Sequence, residues 1–150
     1  MVNIFWAEGV NSEIVFENKM IFVTRHEAEW IKEDTLQNRE IYFAEIDGAE
    51  IKTEEDYVRA MADAFAFPHE LPAMKLGWYN DYINDLKWIE QKEIVLIIDN
   101  YDRMLIHNLK LKNDIMADFE EVILPWWEGG IVGHMVGGEP KKFSVYLEGS

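Results

Sequence analysis

The chain has 150 residues, 49% of them hydrophobic and 13% aromatic, enough for one domain with its own core and too apolar for disorder. The absence of cysteine excludes disulfides, thiolate metal sites and a cysteine nucleophile. Twenty-nine acids against 14 bases give a formal charge of −15, a field that repels phosphate backbones and anionic membranes and attracts basic proteins.

The opening stretch Met1 to Glu8 has neither a basic region nor a long apolar run, so no signal peptide is expected. The five-residue run Ile94 to Ile98 is far from membrane-spanning length. The expectation is a soluble, cytoplasmic protein with no direct nucleic-acid or membrane partner.

In chain order, Asn3 to Ala7, Glu13 to Phe16 and Met20 to Val23 predict short strands. A short helical turn follows around Glu27 to Ile31. Glu40 to Ile46 is a firmer strand, stopped by the turn pair Asp47-Gly48. Thr53-Glu54-Glu55-Asp56 is a near capping box, with acids at the positive end of a helix. Tyr57, Val58, Met61 and Phe65 recur at helical spacing, and Pro68 ends the element. A second helix is expected over Trp78 to Trp88, and Glu93 to Asp99 reads as a strand buried on both faces.

Beyond it, Arg103 to Leu109 predicts a short helix. Asn113 can cap another, in which Ile115, Met116, Phe119, Val122 and Ile123 share a face and Pro125 lies near the end. Five glycines between Gly129 and Gly138 predict a loop, and Phe143 to Leu147 a last strand. This alternation of strands and helices argues for a small parallel sheet with helices packed on it.

On a helical wheel, Tyr79, Tyr82, Ile83 and Leu86 form a buried stripe. Trp78, Asp81, Asp85 and Trp88 fall opposite, with Asn84 beside them. Aromatic contact area interleaved with carboxylates suits a basic protein partner. The same spacing also fits tryptophans tucked under neighbouring loops and acids that only solvate the helix.

Several stretches together resemble the barstar family, in order and at similar spacing from about Arg39 to Leu147. They are Ile46-Asp47-Gly48-Ala49-Glu50-Ile51 with the helix around Tyr57 to Phe65, then Phe67-Pro68. Asp81-Tyr82-Ile83-Asn84-Asp85-Leu86-Lys87-Trp88 leads into the strand Glu93 to Asp99, and Lys142 to Leu147 closes the set. The resemblance implies an α/β fold with a parallel three-stranded sheet flanked by helices. It divides the chain into a β-rich extension over residues 1–38, packed on the same domain, and a barstar-like domain over 39–150.

The resemblance also implies no catalysis and no cofactor or metal. The chain would be an inhibitor of the antidote or immunity type from a bacterial toxin–antitoxin system, binding a small basic ribonuclease or nuclease toxin. Its second helix would occlude the nuclease active site with acidic and aromatic residues. Aligned on Asp85-Leu86-Lys87-Trp88, the family's key aspartate falls at Asp81, and Gly77 stands where the family often has an earlier aspartate. A shifted register makes Asp81 and Asp85 the two family acids; both alignments keep Asp81 in the interface. The partner-binding set implied is Trp78, Asp81, Asn84, Asp85, Trp88 and Glu121, with Glu120 the other candidate for the acid of the later helix.

Two other readings compete. Paired carboxylates can run glycoside hydrolysis, but Asp81 and Asp85 lie one turn apart with no sign of a pocket to raise either pKa. His26, His69, His107 and His134 are scattered, and no Gly-Lys-Ser/Thr closes the glycine run. The alternative to an inhibitor is an acidic adaptor for a non-nuclease protein. Trp126-Trp127-Glu128 would then be a docking patch, extended by Trp6 or Trp30, unless these tryptophans pack into the core.

Overall fold

The computed structural model describes residues 18–131 and 138–149. The expected strands at Asn3 to Ala7 and Glu13 to Phe16, together with Trp6 and His134, lie outside the described residues. Among the described residues four strands form one wholly parallel sheet: β1 (Lys19–Val23), β2 (Ile41–Asp47), β3 (Glu93–Asp99) and β4 (Lys142–Glu148), in the order β1-β4-β3-β2. The family resemblance implies three. The fourth is β1, which pairs with β4 and satisfies the backbone groups that an edge would leave open. Asn18 anchors its start, donating its side-chain amide to Leu124 O and Lys141 O and accepting from the Phe143 N–H.

Residues Ile94 to Ile98 of β3 are all buried, as a strand covered on both faces requires. Side chains alternate across the sheet. Ile94, Leu96 and Ile98 join Phe143, Val145 and Leu147 in the main core, whereas Val95 and Ile97 pack on the other face with Ala28, Ile31 and Phe43. That second face is covered by α1 (Arg25–Leu36), a full helix where the sequence predicts only a short turn. A capping box between Thr24 and Glu27 starts it.

Helix α2 (Glu54–Ala64) begins at the expected box: the Thr53 hydroxyl accepts from Asp56 N–H, and the Asp56 carboxylate accepts from Lys52 and Thr53 N–H. These bonds, Lys52 N–H first, hold Asp56 below the usual aspartate pKa. Tyr57, Val58, Met61 and Phe65 are all buried. Ala66, at φ 51°, turns the chain away before Pro68. Gly48 is required where β2 ends, because a Cβ there would lie 2.5 Å from Asn100 O and 2.9 Å from Asp99 O.

Helix α3 spans Leu76–Ile83, starting before Trp78 and stopping well short of Trp88. Tyr82 O accepts the N–H groups of Asp85 and Leu86, and Leu86 turns left-handed at φ 45° with its side chain buried. Asp85 and Trp88 therefore leave the wheel on which the spacing placed them. Two indoles from a distant segment complete the helix end: Trp127 Nε1 donates to Ile83 O and Trp126 Nε1 to Asn84 O.

Helix α4 (Leu109–Asp118) is capped by Asn108, whose side chain accepts from Leu111 N–H; Asn113 lies inside it. The short helix expected over Arg103 to Leu109 is only a 3₁₀ turn, Tyr101–Arg103. Beyond Asp118 the helix widens into π-helical segments at Phe119–Ile123 and Trp126–Gly130. Wider turns shift the apolar register. Ile115, Phe119, Ile123 and Leu124 are buried while Val122, expected on the same face, is 47% exposed.

Candidate functional site

The outward surface of α3 and the turn after it hold most of the residues singled out by spacing. Tyr79, Ile83 and Leu86 are buried, and Tyr82 is half-buried against Phe67, with ring centroids 5.2 Å apart. On the other side Trp78 is 42% exposed and Asp81 is exposed. Asn84, Asp85 and Trp88 are half-buried in the turn. Trp88 is no free aromatic blade: its Nε1 donates to Phe65 O at 2.8 Å and its ring meets Phe67 edge-on at 5.8 Å.

What distinguishes this end of α3 is unmet acceptor capacity. The Oδ1 atoms of Asn80, Asn84 and Asp85 are all buried with no hydrogen-bond partner among the described residues. A native fold rarely leaves such atoms together, since each carries a desolvation penalty of about 1–3 kcal/mol.

The scaffold beneath is tied together by buried and part-buried hydrogen bonds. Glu54 of α2 accepts from Leu76 N–H at 2.9 Å at the start of α3, and the Tyr57 and Tyr79 hydroxyls bond in the core. Burial raises both phenol pKa values well above the ordinary tyrosine range. Asp118, at the end of α4, reaches the same tyrosines electrostatically; burial, then the charge of Glu121, pushes its own carboxyl up. Glu121 is exposed one turn further on. Glu120, the other candidate, instead lines a groove with Asn18 and Met20 of the β1 side. Spacing alone did not single out Asp118, although its place one turn before Glu121 is visible in the sequence.

The tryptophan pair Trp126-Trp127 belongs to the scaffold. Trp127 is 1% exposed and Trp126 half-buried, so the docking-patch reading of this pair gives way to core packing. His26, His69 and His107 are exposed and separate. Among the described residues no group of His, Asp and Glu could hold a metal ion, and no helix is long and apolar enough to cross a membrane.

The α3 surface belongs to a parallel α/β domain, and this helix carries an exposed tryptophan and an exposed carboxylate. Residues 41–148, well over half of the chain, match the family described as Barstar (barnase inhibitor). The chain belongs to the barstar family. No individual curated protein and no solved structure matches it.

Proposed function

We propose that this protein inhibits a small basic ribonuclease of the barnase type by seating the α3 surface in its active site. The observation that carries the reading is the pairing, in a barstar-family chain, of exposed Trp78 and Asp81 with the unmet acceptors of Asn84 and Asp85. Carboxylates on this surface would occupy phosphate positions against the nuclease's cationic side chains, while Trp78 and the open edge of Trp88 supply contact area. Glu121 would add an acid from the neighbouring segment. No covalent step is involved; inhibition is occlusion.

The net charge of −15 supports electrostatic capture of a basic partner. The barnase–barstar pair is itself the standard example of such steering, and it lends this chain a direction but no magnitude. We read residues 39–150 as the inhibitory domain and 1–38 as an extension of it, supported by the pairing of β1 with β4. An antidote in the cytoplasm of a toxin-producing bacterium is the role this activity serves. With Trp127 buried, the adaptor reading loses its docking pair.

The test is a titration of a basic barnase-type ribonuclease with the full chain, following cleavage of a fluorogenic RNA. Activity is expected to fall linearly to zero at a one-to-one ratio. Undiminished cleavage at tenfold excess, across a panel of such ribonucleases, sinks the reading.

A further inference from the structure

At the carboxyl ends of β2, β3 and β4, away from α3, the strands and α1 enclose a cleft of about 360 Å³. Carboxyl ends of parallel strands are where α/β sheets commonly bind ligands. Five carboxylates line this cleft against two cations: Glu29, Glu45, Asp47, Asp99 and Glu148 face Arg25 and Lys32. Some of this charge is matched internally. Lys32 Nζ lies 2.8 Å from Glu45 Oε1, and Asn100 ties two strands by donating its N–H to Glu148 Oε1 and its side-chain amide to Asp47 Oδ1, both at 2.8 Å.

One oxygen is left over. The Glu148 side chain is 2% exposed, yet its Oε2 is buried with no hydrogen-bond partner among the described residues. The nearest cation, Arg25 Nε, is 3.9 Å away on a side chain that is 65% exposed, too far for a hydrogen bond. Beside it, the neighbouring carboxylates Asp99 and Glu45, on adjacent strands, repel one another if both are ionised. Burial, then Glu45, pushes Asp99 up to about 8. On Glu45 burial acts in the same direction, but the influence of Asp99 and the ion pair with Lys32 outweigh it and hold Glu45 below the usual glutamate value.

These carboxylates do not converge on a point that a metal ion could occupy. They are spread, as a planar group with several divergent N–H donors requires, and a guanidinium carries five. Ala28 contributes only a methyl group to the lining of the cleft between Arg25 and Lys32.

We propose that this cleft binds a guanidinium group, with Glu148 Oε2 as the acceptor on its floor and Asp47 and Asp99 as acceptors nearer the mouth. The site is separate from α3 and independent of the inhibitor reading. An incoming cation favours ionised Asp99, so binding near pH 7 releases up to one proton to the buffer.

The experiment is a titration of the full chain, at matched ionic strength, with N-acetyl-arginine amide, free arginine and N-acetyl-lysine amide. The Asn100 backbone amide resonance, one hydrogen bond from Glu148, is the probe. Saturable shifts with a guanidinium compound are expected, at least tenfold weaker with the lysine compound and at least tenfold weaker in Glu148→Gln. Tighter binding of the amide assigns the site to an arginine side chain of a protein; tighter binding of free arginine assigns it to a small molecule. Calorimetry of the unmodified protein in two buffers of different ionisation enthalpy reads the released proton and does not depend on the variant folding. No saturable shift, equal response to the lysine compound, or binding without proton release overturns the proposal.

Discussion

The hydroxyls of Tyr57 in α2 and Tyr79 in α3 meet at 2.8 Å, with their rings edge-to-face and 5.2 Å between centroids. Both side chains are fully buried, so neither hydroxyl has water as an alternative partner. This bond is one of the ties that hold α3 on the core while leaving Trp78 and Asp81 outside. Tyr79→Phe is expected to cost about 1–2 kcal/mol, because Tyr57 is left with an unpaired hydroxyl. Tyr57→Phe with Tyr79→Phe should cost less than the two single changes added together. Urea unfolding of the three variants measures the coupling, and strict additivity would show that the hydroxyls do not act as a pair.

Asp81→Ala should leave the fold unchanged, since the residue is exposed on the outer side of α3. If the proposed inhibition holds, the loss against the target ribonuclease should be on the order of a hundredfold or more in Kd. Surface plasmon resonance beside a thermal melt separates the two effects. Equal affinity of variant and wild type would remove Asp81 from the interface.

Association should slow steeply with salt. The chain carries −15, and a basic cleft attracts it over distances that electrolyte screens to about 10 Å at 0.1 M. Stopped-flow mixing between 0.05 and 0.5 M salt, both values roughly spanning the screening range, should show at least about a tenfold fall in the on-rate. A flat profile would mean that contact shape, not charge, brings the partners together.

Trp127→Ala should be among the most damaging substitutions, costing about 3–5 kcal/mol through the cavity it leaves. It also strips Ile83 O of its donor at the end of α3. Trp126→Phe removes the bond to Asn84 O and should cost about 1 kcal/mol. Hydrogen exchange in α3 should rise in both variants, with the greater increase in Trp127→Ala; unchanged exchange would uncouple α3 from the tryptophan pair.

Stability should fall as pH rises from about 4 to about 8. Unfolded aspartate gives up its proton near pH 4, whereas folded Asp99 keeps its own up to about 8, so the folded state binds the extra proton in that window. Glu45, held low, opposes the trend only near pH 4. Asp99→Asn keeps the size and polarity of the side chain without the charge. It should stabilise the protein at pH 8 by about 1 kcal/mol, a value discounted for water at this half-buried site, and make little difference at pH 4. Melting curves across that range give the sign; a variant less stable at pH 8 would rule out the charge penalty.

The amino-acid sequence by itself determined the parallel α/β class, because strands alternate with helices along it and the mostly β-branched run Ile94 to Ile98 fits a strand covered on both faces. It also determined the start of α2, where Thr53 and Asp56 are a local hydrogen-bonding unit, and the buried stripe of Tyr79, Ile83 and Leu86. The family was legible in the ordered set of such local signals. Only the tertiary structure decided where α3 ends, since its last carbonyls are met by Trp126 and Trp127 from more than forty residues away, and a wheel drawn on spacing carries Asp85 and Trp88 past that point. Tertiary structure likewise added β1 to the sheet through Asn18 and its contacts with the start of β4, and brought Asp99, Glu45 and Glu148 into one cleft from three strands. Periodicity and capping act within a turn or two of chain. Interacting carboxylates, indole caps and strand order depend on distances that only the folded chain closes.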